Sequence, residues 1–200
     1  MPRLVMPARA GRWSYGWVLV SLVLLVPGAV RAAGRAPQVY GTYGGTFQVL
    51  GEPGDGGSSV SLAVLWPVTE RIAFGAMAHV DDAGTTVGYL GGPQGPLASY
   101  GQVQQAHRQS TGASWRLDAT SRPRFGMTGV ASATWGYYRV TDDLRGAKLS
   151  QVGSTGFSLG LGVREGIGRH FTLGLLGRYH RLFNDREGRF MSAGLELGWR

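Results

Sequence analysis

The 200-residue chain holds 34 Gly and 9 Pro, carries 20 Lys and Arg against 12 Asp and Glu, and has no Cys. Glycine at this density without a three-residue period excludes collagen, and a hydrophobic content of 43% excludes a disordered chain. Without Cys there is no disulfide framework and no thiolate metal site, and 4 His make no zinc set, so neither a metal nor a cofactor is expected.

The first 33 residues read as a secretory signal peptide. Arg3, Arg9 and Arg12 form a basic start, residues 17–26 (WVLVSLVLLV) an apolar core, and residues 27–33 (PGAVRAA) a small-residue exit, with cleavage after Ala32 or Ala33. The uninterrupted apolar run is far shorter than the ~20 residues a spanning helix needs, which disfavours an uncleaved anchor. Removing Arg3, Arg9, Arg12 and Arg31 takes the net charge from +8 to +4. The remaining basic residues form no run or stripe, so no nucleic-acid partner is expected. Residues 34–200 are then one domain.

From Val39 onward the chain alternates with a period of two, the signature of half-buried strands. Val39, Gly41, Tyr43, Gly45 and Phe47 share one face, against Tyr40, Thr42, Gly44, Thr46 and Gln48. Strands two and three follow, with Val60, Leu62, Val64 and Trp66, then Ile72, Phe74, Ala76, Ala78 and Val80. Strand four sets Ala113, Trp115 and Leu117 against Ser114, Arg116 and Asp118. Strand five sets Ala131, Ala133, Trp135 and Tyr137 against Ser132 and Thr134. Strand six sets Phe157, Leu159, Leu161 and Val163 against Ser158 and Arg164, and strand seven sets Phe171, Leu173 and Leu175 against Arg178 and His180. Strand eight ends with Ala193, Leu195, Leu197 and Trp199 opposite Glu196. Strands of about ten residues, even in number, are what a transmembrane barrel uses.

Periodicity does not say which face is outside, but three further features do. Connections alternate between long (51–57, 81–106, 140–153, 184–189) and tight (67–71, 121–124, 166–169), the asymmetry of outer-membrane barrels. Aromatics gather near the two ends: Trp66, Phe74, Phe125, Phe171 and Trp199 by the tight turns, and Tyr137, Phe183 and Phe190 by the long loops, as two interface girdles. Glycines at 156, 160, 162, 174, 194 and 198 lie on the polar face, where a narrow lumen needs small side chains. The fold expected is all-β: an eight-stranded antiparallel up-and-down transmembrane β-barrel. Its lumen would be filled rather than open, with Arg116, Asp118, Arg164, Arg178 and Glu196 paired inside, since an isolated buried ion costs several kcal/mol. A hairpin centred near Glu187 would set Arg178 almost opposite Glu196.

The strand at residues 171–179 (FTLGLLGRY), with its Gly-x-Arg-Tyr end, and a final strand ending in an aromatic resemble the small OmpA/OmpX-type outer-membrane barrels over roughly residues 39–200. The resemblance implies an outer-membrane location and contact with the barrel-assembly machinery through the C-terminal strand, where Trp199 is followed by Arg200.

Chemistry is sparse. Residues 156–160 (GFSLG) match a nucleophile-elbow pattern around Ser158, but that motif needs a strand, a sharp turn and a helix, whereas here it sits within a strand. The function expected is a non-enzymatic surface or envelope protein, in contact with outer-membrane lipid and lipopolysaccharide, with an extracellular partner reached through loop 81–106. The acidic pairs Asp81/Asp82 and Asp142/Asp143 are candidates for bridging lipopolysaccharide phosphates through divalent cations. The alternatives are a lipid A-modifying barrel enzyme and a soluble periplasmic barrel in which Leu159, Leu161, Leu173 and Leu175 line an apolar pocket.

Overall fold

The computed structural model describes residues 36–49, 56–89, 103–144, 147–183 and 188–200. The leader with Ala32 and Ala33, the tip of loop 81–106 at 90–102, and Glu187 lie outside the described residues. Eight strands follow one another: β1 (Gln38–Gln48), β2 (Gly57–Pro67), β3 (Ile72–Tyr89), β4 (Val103–Thr120), β5 (Met127–Leu144), β6 (Ala147–Ile167), β7 (Phe171–Leu182) and β8 (Arg189–Trp199). Each pairs antiparallel with its chain neighbour, and β1 pairs with β8 from Val39↔Trp199 to Gln48↔Phe190, closing the barrel. Closure leaves no strand edge within the ring.

Alternation decides the faces. Leu161 is 75% exposed and Leu175 58%, while Arg116 and Asp118 are fully buried. Leucines therefore cover the outside and charges the inside, the reverse of a water-soluble barrel. Leu159 and Leu173 are outside as well, so the alternative in which these four leucines line a ligand pocket is corrected: in a narrow barrel one parity must face the lumen, and the other parity, carrying Arg116 and Glu196, holds that place.

The wall is uneven. β3, β4 and β5 have 18 residues and β6 has 21, against 11 or 12 in β1, β2, β7 and β8. At about 3.4 Å per residue, the long strands rise roughly 20–30 Å beyond the short ones. Two connections expected to be loops thus contain paired strand: Gly84↔Arg108 through Tyr89↔Val103 are paired, as are Val140↔Val152 through Leu144↔Ala147. Pairing with β2 stops at Ser59↔Asp81, and a bulge between Asp82 and Gly84 follows at once. Gly84 has φ +72°, and a Cβ there would lie 2.2 Å from the Gly56 carbonyl oxygen, so only glycine permits this close approach. The Thr46 hydroxyl donates to the Asp82 carbonyl at the same point and ties the short side of the wall to the long one.

Candidate functional site

The lumen is built from inward positions of all eight strands and has two unlike halves. Near the tight turns, β4 contributes Arg116 and Asp118, β6 Arg164 and β8 Glu196, and these four form an alternating ring. Arg116 Nε and Nη2 donate to the two Asp118 oxygens at 2.7 and 2.8 Å, and Nη2 also reaches Glu196 Oε2 on the opposite wall at 2.9 Å. Arg164 Nε donates to Glu196 Oε1 at 2.5 Å and its Nη2 to Asp118 Oδ2 at 2.6 Å. Fork-shaped guanidinium donors facing carboxylates are the strongest form of such pairing. The Tyr40 ring lies 4.1 Å from the Arg164 guanidinium carbon, and its hydroxyl donates to Gln38 Oε1 at 2.7 Å. Gly160 and Gly174 face Arg178 and Arg164: a Cβ would come within 2.9 Å and 3.0 Å of their respective Cγ atoms, so these glycines make room for the long side chains.

Toward the long strands the lumen holds Arg178, His79, His180, Asp81 and Tyr138, all buried. Arg178 does not meet Glu196. The β7–β8 register sets Gly174 opposite Glu196 and Arg178 opposite Ser192, and Arg178 Nη1 instead donates to Ser61 Oγ at 3.2 Å. The expected Arg178–Glu196 pair is therefore corrected: the hairpin is centred two residues earlier than Glu187, which moves every cross-strand partner by four. His180 Nε2 lies 2.9 Å from Ser192 Oγ, and its ring stacks on Phe190 at 4.3 Å. Asp81 accepts from Ser59 Oγ at 2.6 Å, and the Thr134 and Ser158 hydroxyls are 2.6 Å apart.

Ser158 is thus a buried lumen residue bonded to Thr134. The hydrogen-bonded His180–Ser192 pair sets a hydroxyl beside an imidazole, and the second His180 nitrogen has no hydrogen-bond partner among the described residues to fix its tautomer.

At the loop-side rim the acidic pairs divide. Asp81 and Asp142 point inward, the latter bonded by Arg108 Nε at 2.8 Å, while Asp82 lies 3.3 Å from His107 Nε2. No group of three or more His, Asp or Glu able to hold a metal occurs among the described residues. Strand alternation sends adjacent Asp residues toward opposite faces, so each pair divides between lumen and rim.

Of the aromatics expected in girdles, Phe74, Phe125, Phe171, Trp199, Tyr137 and Phe183 are exposed on the outside and Trp66 is half-buried. Phe190 is corrected: it is buried in the lumen against His180, in phase with Ser192 and Glu196. Trp115 and Trp135, which the alternation puts on the apolar face but not in either girdle, pair across β4 and β5; Trp115 stacks on Phe74 at 5.4 Å, and Trp135 meets Phe183 at 5.8 Å. An apolar groove of about 480 Å³ between Leu117, Ala131, Leu159 and Leu161 lies on this outer wall.

No family model matches the chain, and no curated protein does. Among solved structures, Neisserial surface protein A (NspA) is similar with a TM-score of 0.55 at 14% identity, over 82% of this chain and 93% of that chain. Ail, the attachment invasion locus protein of Yersinia pestis, crystallised with the heparin analogue sucrose octasulfate, gives a TM-score of 0.48 at 10% identity, over 82% of this chain and 96% of that one. The NspA likeness supports the fold, that of a small closed antiparallel β-barrel of eight strands.

Proposed function

We propose that this chain is an outer-membrane barrel, exported through its leader, that works without catalysis as a surface or envelope protein. One observation carries the reading: leucines and aromatics cover the outside of a closed barrel whose charges are sealed within. Such a wall is stable only against hydrocarbon, and a barrel satisfies every backbone group there. The ion ring crosses the lumen from β4 to β8, which supports a filled lumen rather than an open pore. With the tight turns in the periplasm, the long parts of β3–β6 stand outside the cell. β3 beyond Gly84 and β6 before Ser154 have a ladder partner on one side only among the described residues, which leaves a strand edge there that an extracellular partner or lipopolysaccharide can meet. The Trp199-ended strand is the segment offered to the assembly machinery.

Cell fractionation with electrophoresis before and after boiling tests this. Recovery with the outer membrane and faster migration of the unboiled protein are expected; a soluble periplasmic product without that shift overturns the reading.

A further inference from the structure

At the tight-turn end, the hairpin joining β4 to β5 is closed by Arg124 N–Met127 O and Met127 N–Arg124 O bonds of 2.8 and 3.0 Å. Its two central residues are Phe125 and Gly126, with φ of +54° and +81°. A two-residue turn with both φ values positive is the type I′ geometry, for which Asn-Gly is the favoured pair. A bulky aromatic at its first position is a backbone outlier. Phe125 is also 97% exposed. The side chain thus adds backbone strain to an unburied ring, and nothing within the barrel returns either cost.

Its surroundings point to what does. Exposed Arg122 and Arg124 flank it, and the same end carries exposed Arg71, Arg169 and Arg200, against Glu70 and Glu165. The turns are tied to their neighbours: Thr120 N donates to Arg71 O, and Arg200 N to His170 O, both at 2.8 Å. The backbone that bears these arginines is therefore held on one rim, which also carries the exposed Val68, Phe171 and Trp199.

We infer that the tight-turn rim docks anionic glycerophospholipid headgroups, with Arg122 and Arg124 on the phosphates and Phe125 inserted at the hydrocarbon boundary. The inference rests on the outer-membrane reading and commits to the leaflet that surrounds the tight turns. A cationic rim with adjacent aromatic anchors is complementary to a surface that is negative above and apolar below. Near such a surface each Arg contributes about fivefold to the folded-to-unfolded ratio at low salt.

The test folds the protein into vesicles of phosphatidylcholine alone and of equimolar phosphatidylcholine and phosphatidylglycerol, following urea unfolding by tryptophan fluorescence. The wild type should be more stable in the anionic vesicles, by a margin that shrinks as salt is raised. Arg122→Gln and Arg124→Gln should each remove about fivefold of that gain and leave the phosphatidylcholine value unchanged. Phe125→Asn suits the turn but withdraws the ring from the hydrocarbon boundary that both vesicles offer, so it should lower the stability in both and leave the anionic gain to the arginines. Arg181→Gln, at the opposite end, should keep the gain. An undiminished gain in the Arg122→Gln/Arg124→Gln double variant overturns the inference, as does an equal loss in Arg181→Gln. Failure to insert into either vesicle overturns the membrane reading itself, whereas insertion with stability indifferent to lipid charge removes only the headgroup site.

Discussion

At the tight-turn end of the lumen, Arg116 and Arg164 each face both Asp118 and Glu196, whereas at the loop-side end Arg178 bonds only to Ser61 and leaves Nε and Nη2 without a hydrogen-bond partner among the described residues. All three arginines are buried in one narrow space, yet their neighbours give them different work. Two cations and two anions in alternation offset one another's desolvation, and the ring links strands on opposite walls. A guanidinium held by one hydroxyl links its wall to β2 and little else. Burial of an arginine therefore says little about its structural weight until its partners are counted.

Breaking the ring tests the heavier half. Arg116→Met leaves Asp118 and Glu196 with only Arg164 between them, and removing one member of a buried ionic group costs about 3–5 kcal/mol. Urea unfolding of the reconstituted protein should show a loss of that size.

The β1–β8 seam that closes the barrel is the next most sensitive place. A Cβ on Gly44 would lie 2.0 Å from the Ala193 carbonyl oxygen across the β1–β8 pairing. Gly44→Ala should force these strands apart at a cost of about 1–3 kcal/mol, and the boiling-dependent shift should appear at a lower temperature.

The smallest effect belongs to Arg178. Arg178→Met exchanges one hydroxyl bond and a desolvated charge for an apolar chain of similar reach, so the expected change is about 1 kcal/mol or less in the same urea experiment. A loss equal to that of Arg116→Met would mean that the two halves are alike and would undo the contrast.

Much of the barrel was legible from alternation. The inward parity of Tyr40, Arg116, Asp118, Arg164, Arg178 and Glu196, and the outward parity of the leucines, follow from counting in twos. Phe190 was legible as well: it lies an even number of residues from Ser192 and Glu196, and its nearness to a strand end is what misplaced it among the girdle aromatics. The long arms were not legible. Gln104, Gln105, His107 and Gln109 carry no apolar alternation, because a strand that stands clear of hydrocarbon has no face to keep apolar, and a paired arm then reads like a loop.

The sequence by itself determined where the eight strands lie, though not how far they extend, and that alternate side chains share one apolar face, because the two-residue period is a local property of extended backbone. Only the tertiary structure decided which way the faces turn, how far each strand rises and which charges meet. Those depend on hairpin centres and on the stagger of closure. In the β7–β8 hairpin a two-residue difference in the turn exchanged Arg178 for Gly174 opposite Glu196, and so gave Glu196 to the arginines of β4 and β6.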